Sequence, residues 1–201
     1  QPLTAFGTPL VGDTLFGQLC WILRRQLGNA RLSELLQAYT QNQPFMVVSD
    51  AFPKDHLPLP TVPSTIWSNP NNTDRKTLKK KKWLPLESIN EPMPNWQSLS
   101  HGNEVLPVQT KAQAHNTINR KSSTTGSGMF APYTTEQTWY DHSVMLDLYI
   151  VFDQSVINAF QINDALSTLG KVGFGRDASI GLGKFEIVDC TEDWSWPISK
   201  T

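Results

Sequence analysis

Five of the fourteen residues from Gly170 to Gly183 are glycine, and Lys171, Arg176 and Lys184 stand among or beside them. Backbone without Cβ atoms approaches another chain closely and presents its amides to phosphate oxygens. The segment is not a Walker loop, because no Gly-Lys-Ser/Thr follows. It is not a dinucleotide fingerprint either, because its glycines follow a helical pattern and precede a strand pattern, the reverse of that arrangement. A tight turn alone accounts for the glycines equally well, but the interleaved basic residues favour RNA. Lys171, Gly173, Gly175, Arg176, Ser179, Gly181, Gly183 and Lys184 are therefore candidate RNA contacts.

Three further segments carry groups suited to nucleic acid. In the first, Gly12–Trp21, Asp13 or Thr14 is placed to cap a helix, and Trp21 falls on its polar face with Arg24 and Arg25. A tryptophan flanked by arginines suits a base or a partner subunit, and a half-buried tryptophan is the plainer alternative. The second, Lys111–Gly126, combines cations with hydroxyls and amides and reads as a polar loop, with His115, Asn116 and Arg120 as contacts. The third is the run Arg75–Lys82, which reads as a solvated, mobile loop, the alternative being a phosphate-tracking arm.

No catalytic constellation accompanies them. There is no GxSxG, no Ser-His-Asp order and no pair of inward carboxylates on a helix. His56, His101, His115 and His142 are scattered without metal-ligand spacing, so neither a metal nor another cofactor is expected. Cys20 and Cys190 form no CxxC pair and fit a reducing cytoplasm.

The elements that must position these groups follow from periodicity. Leu15, Leu19, Cys20, Leu23 and Leu27 recur at helical spacing, with Gly28 as the stop. A second helical pattern spans Leu32–Tyr39, and Pro44–Ser49 is a short apolar run expected to be a strand. From Pro53 to Gln109 the pattern disappears; nine of the fourteen prolines lie here, with Trp67, Trp83 and Trp96 as partial anchors. So long a stretch reads as an irregular functional insertion. Strands are predicted over Met129–Tyr140 and Val144–Phe152, then a helix over Val156–Leu169 with a restart at Asn163 and a stop at Gly170, then a strand over Lys184–Val188. This order is compatible with an α+β, ferredoxin-like unit whose first strand lies at or before Gln1.

Composition bounds the reading. The 201 residues suggest a single domain with an insertion, and the first residue, Gln1, fits a segment of a longer or fused chain. The net charge of −1 excludes a globally basic protein, so nucleic-acid contact requires a local patch. No stretch approaches the roughly 20 apolar residues that span a membrane, and no membrane partner is expected.

Four segments in order resemble the RAMP superfamily of CRISPR-associated proteins. GDTLFGQLCW (12–21) looks like the first-helix signature of the subunit that binds the 5′ handle of crRNA in type III effector complexes, VSDAFP (48–53) like the strand end that follows, HNTINRKSSTTG (115–126) like the middle segment, and GFGRDASIGLGKF (173–185) like the glycine-rich loop before the last strand. The pattern is most similar to the fourth-subunit group of Csm-type complexes. The resemblance implies a ferredoxin-like, RNA-recognition-motif-like RAMP fold and a non-catalytic subunit. Such a subunit holds the repeat-derived handle, bridges the large polymerase-cyclase subunit and the backbone RAMP subunits, and meets target RNA only indirectly. Three rivals stay open: a RAMP endoribonuclease using His115 or His142, a backbone RAMP cutting target RNA through Asp13 or Asp50, and a module that binds only protein.

Overall fold

In the computed structural model, which describes residues 4–5, 10–69, 73–126 and 130–195, the helically spaced leucines form the inner face of α1 (Gly12–Leu27). Leu15, Leu19 and Leu23 are each at most 2% exposed. Gly28, at φ 84°, ends α1 and admits α2 (Asn29–Gln37). The start of α1 departs from expectation. Neither Asp13 nor Thr14 caps it; Val11 is the N-cap and offers no side-chain bond. The amide of Gly12 instead donates to Asp50 Oδ1 at 2.6 Å, from 38 residues away. A Cβ on Gly12 would meet the Val48 carbonyl oxygen at 2.4 Å, so glycine lets the helix start press onto the neighbouring strand.

That strand, β2 (Met46–Pro53), begins two residues later than predicted and runs four further. It pairs antiparallel with β7 (Leu146–Phe152), Val47 opposite Val151 and Val48 opposite Ile150. Met46, Val48, Leu148, Ile150 and Phe152 face the helices, and Val47 and Val151 face solvent. The last helix, α5 (Ala159–Val172), starts at a capping box: Asn158 accepts from the amide of Gln161, whose side chain accepts from the amide of Asn158. It does not restart at Asn163 or stop at Gly170. It passes Gly170 because a Cβ there would lie 2.2 Å from the Phe185 carbonyl oxygen, so this glycine serves close approach, and Gly173 ends the helix. Together α1, α2, α5 and the β2–β7 pair enclose the core, which Phe45, Ile157, Ile162, Ala165 and Phe174 complete.

The architecture is α+β with small sheets. Besides β2–β7, β3 (His56–Pro58) pairs with β4 (Trp83–Pro85), and β5 (Val108–His115) pairs antiparallel with β6 (Tyr133–Tyr140), to which β1 (Thr4–Ala5) adds in parallel. The strand expected over Lys184–Val188 is absent; the segment only returns one bond, from the amide of Phe185 to the Gly170 carbonyl. The insertion is less irregular than predicted. It holds β3, β4, the single turns α3 (Arg75–Leu78) and α4 (Trp96–Leu99), and several 3-10 turns, with Leu78 and Leu84 buried beneath them. Trp83 rests 6.4 Å from Phe52 of β2, ring centre to ring centre, which ties the insertion to the body. The predicted polar loop from Lys111 is strand as far as His115; Met129, where the next strand was predicted to begin, lies outside the described residues, and from Phe130 on the strand starts at Tyr133.

Burial separates the two thiols. Cys20 lies in the core and burial pushes its pKa up to about 11, whereas Cys190 is exposed. The thiolate is the reacting species, so at pH 8 only about a thousandth of a group with that pKa is reactive. A disulfide reagent at pH 8 should label one thiol per chain rapidly in native protein and both in denaturant; rapid native labelling of both would contradict this packing.

Candidate nucleic-acid interface

The glycine loop closes on itself. Gly173 and Gly183 have φ of 105° and 70°, in the left-handed region. A Cβ at Gly173 would lie 2.3 Å from the Leu182 carbonyl oxygen, and one at Gly183 2.0 Å from that of Phe174. The amide of Phe174 donates to the Gly183 carbonyl at 2.8 Å, and its ring is buried. These two glycines thus let the loop's two limbs cross backbone to backbone, the tight-turn role. Gly181, by contrast, has φ 90° and open space where a Cβ would stand. Gly175, at φ 90°, leads into the 3-10 turn Arg176–Ile180. Ser179, Gly181, Gly183 and Lys184 are exposed on this loop, and Lys171 is exposed in the last turn of α5.

Arg176 is held in place by its neighbour. Its Nε and Nη2 each donate to a separate oxygen of Asp177 at 3.2 Å, and this carboxylate raises the already high pKa of the guanidinium. The fork is fixed but half exposed. Tyr133 lies within electrostatic reach of Arg176. On the cross-strand partner of Tyr133, His115 stacks against the tyrosine ring, 5.1 Å between centres and 14° between planes. His115 Nε2 also meets Thr135 Oγ1 at 3.0 Å, which fixes the ring. Arg176 is thus fixed on the glycine loop, and the His115–Tyr133 stack at the base of the β5–β6 hairpin. A cation beside a stacked aromatic pair is a surface on which an unpaired base stacks while its phosphate is neutralised.

The hairpin extends this surface. Cross-strand register puts His115, Tyr133, Gln113, Thr135, Lys111, Gln137, Gln109 and Trp139 on one face. At its far end Lys111 Nζ sits 5.3 Å from the Trp139 ring centre. Beyond His115, Asn116 and Arg120 are exposed, and Arg120 lines a shallow depression with Ile118, Asn119, Lys121 and Phe130. Asn119 shapes that turn: its side-chain oxygen accepts from the amide of Lys121, and its carbonyl from those of Ser122 and Ser123. Trp21, Arg24 and Arg25 form a cluster of their own on α1. Trp21 is 67% exposed, Arg24 lies over its ring at 5.3 Å, and Asn29 completes a shallow depression there.

Sequence reasoning missed Tyr133 and Trp139. Their signal was the alternation in YTTEQTWY, which places both aromatics on one face once the segment is known to be a hairpin strand. Among the described residues no group of three or more His, Cys, Asp or Glu is placed to hold a metal, and no helix is long and apolar enough to cross a membrane.

No protein-family model matches the sequence, and no curated protein sequence does. Solved structures do match in fold. A chain of a Csm1-Csm4 cassette in complex with cA4 superposes with a TM-score of 0.57 at 20% identity, over 85% of this chain and 63% of that one. Csm1-Csm4 cassettes in complex with AMPPNP and with pppApA give TM-scores of 0.55 and 0.53 at 18% identity, each over 84% of this chain and 64% of theirs. The chain thus spans less than two thirds of the solved chains it matches, and the likeness agrees with the RAMP resemblance in the sequence.

Proposed function

We propose that this chain, which shares its fold with chains of Csm1-Csm4 cassettes, is a RAMP subunit of a type III CRISPR effector that grips the 5′ handle of crRNA without cutting it. In this reading α1, β2, β7 and α5 are the two helices and two of the strands of a ferredoxin-like unit. The single observation that carries it is the face of the β5–β6 hairpin on which His115 stacks against Tyr133 and Lys111 sits over Trp139. That the matched chains come from Csm1-Csm4 cassettes supports the partners the resemblance implies, namely the large polymerase-cyclase subunit, the backbone RAMP subunits and, indirectly, target RNA, and a cytoplasmic setting belongs to the same reading.

The enzyme rivals gain no support from the geometry. His115 and His142 flank opposite ends of the eight-residue β6. At about 3.3 Å per residue they stand roughly 25 Å apart, so only one of them could serve a given phosphate, and that one without the other as its acid or base. Asp50 is occupied by the Gly12 amide, and Asp13 by the amide and hydroxyl of Thr14.

The test is binding of the chain to guide RNA with and without its 5′ tag across salt concentrations, the RNA then being run on a denaturing gel. We expect tag-dependent binding, intact RNA, and roughly tenfold weaker binding for Tyr133→Ala, since one aromatic stack contributes about 1–3 kcal/mol. Equal affinity with and without the tag would sink the handle reading. Cleavage that disappears in His115→Ala would replace it with the endoribonuclease.

A further inference from the structure

Six of the seventeen lysines and arginines fall within Arg75–Lys82. The structure makes this run an ordered knuckle rather than the mobile loop that its composition suggested. The amides of Thr77 and Leu78 donate to the Asp74 carbonyl, that of Lys79 to Arg75, that of Lys81 to Leu78 and that of Lys82 to His101. Leu78 is 7% exposed and anchors the turn from beneath, and Lys81 Nζ is turned inward onto the Ser98 carbonyl.

The five remaining cations, Arg75, Lys76, Lys79, Lys80 and Lys82, are exposed. Neither ion pair among the described residues involves any of them. Arg75 and Lys79, and Lys76 and Lys80, stand one helical turn apart, where like charges repel by a few tenths of a kcal/mol per pair. The fold thus holds five positive charges together, and Asp74, just before the run, forms an ion pair with none of them.

We infer that this knuckle is a second anion-binding surface, separate from the glycine loop, and that its ligand is the phosphate backbone of single-stranded RNA read without regard to sequence. Four of the five cations are lysine. A lysine ammonium is a strongly hydrated point charge on a flexible stem; it suits phosphate but is depleted in protein interfaces, where arginine and aromatics are enriched. No exposed aromatic occurs between Arg75 and Lys82 to stack a base, so the surface tracks backbone rather than selecting bases. For the origin of that RNA the inference rests on the handle-binding reading: the knuckle would hold guide or target strand beyond the tag.

The probe is a uridine homopolymer RNA of about 20 nucleotides, together with the tagged guide. The protein is the full chain and its Lys76→Gln/Lys79→Gln/Lys80→Gln/Lys82→Gln variant, whose changed side chains all lie at the surface. Neutralising four cations should lower the slope of log affinity against log salt by about 3 for the homopolymer, at roughly 0.7 per phosphate contact on a single strand. Affinity at low salt should drop at least tenfold, while the ratio of tagged to untagged binding stays that of the parent. An unchanged slope would overturn the inference, as would a variant that loses only its binding to the purified large subunit. A changed slope in a protein with no tag preference would leave the knuckle standing and remove the handle reading instead.

Discussion

Replacing Gly183 by alanine should cost the protein about 3 kcal/mol or more, whereas Gly181→Ala should cost about 1 kcal/mol. Both glycines have positive φ, 70° and 90°, and for an L-residue that conformation alone costs about 1–2 kcal/mol. The difference lies in the surroundings. A methyl group at Gly181 enters open space, while at Gly183 it lands 2.0 Å from the Phe174 carbonyl oxygen and 2.8 Å from its nitrogen. Those are backbone atoms and cannot rotate away. The limbs must separate, which breaks the bond from the Phe174 amide to the Gly183 carbonyl and draws the Phe174 ring out of the core. Loss of a buried phenylalanine's packing has a scale of about 3–5 kcal/mol. Denaturant midpoints of the two variants decide the matter. On the handle reading Gly183→Ala also loses RNA binding, because Arg176 loses its platform, and Gly181→Ala keeps it. Equal midpoints would mean that the crossing of the limbs carries no weight.

The second large effect separates two positions on one helix. Leu19, 1% exposed in the core, should cost about 3–5 kcal/mol on truncation to alanine, from lost transfer energy plus the cavity left between the helices. Trp21, two residues on and 67% exposed, should cost under about 1 kcal/mol, the scale of an exposed cation–π contact, here with Arg24. If Trp21 stacks a base, its loss should weaken RNA binding about tenfold with the denaturant midpoint nearly unchanged. If Trp21→Ala destabilises the chain as much as Leu19→Ala does, the tryptophan is a packing residue and leaves the candidate interface.

What could be read from the sequence was whatever buries one face. Helix α1 was visible because its leucines line up at helical spacing, and β7 because Leu148 and Ile150 alternate with Tyr149 and Val151. Strand β5 was not visible because seven of its eight residues are exposed; with no buried face there is no alternation to find, and its pairing is set by β6. Gly170 was mistaken for a helix stop because composition cannot tell a glycine that ends a helix from one that admits a neighbouring backbone. The bond from the Gly12 amide to Asp50 is a contact across 38 positions that no local pattern encodes. Of the candidate interface, the glycine loop with Arg176 and His115 was recognisable by residue type. The stacking of His115 on Tyr133 was not, since it depends on cross-strand register.

The pairing of β2 with β7 also sets a timetable for biosynthesis. Strand β2 is complete at Pro53 and its partner begins at Leu146. At about 5–20 residues per second a ribosome needs roughly 5–20 s to make the stretch between them. Through that interval α1, α2, Phe45 and Met46 are made, and emerge, without β7 and α5 to cover them. The insertion that carries the basic knuckle is therefore also a delay, during which an unpaired strand edge and half a core are open to chaperones or to a neighbouring nascent chain.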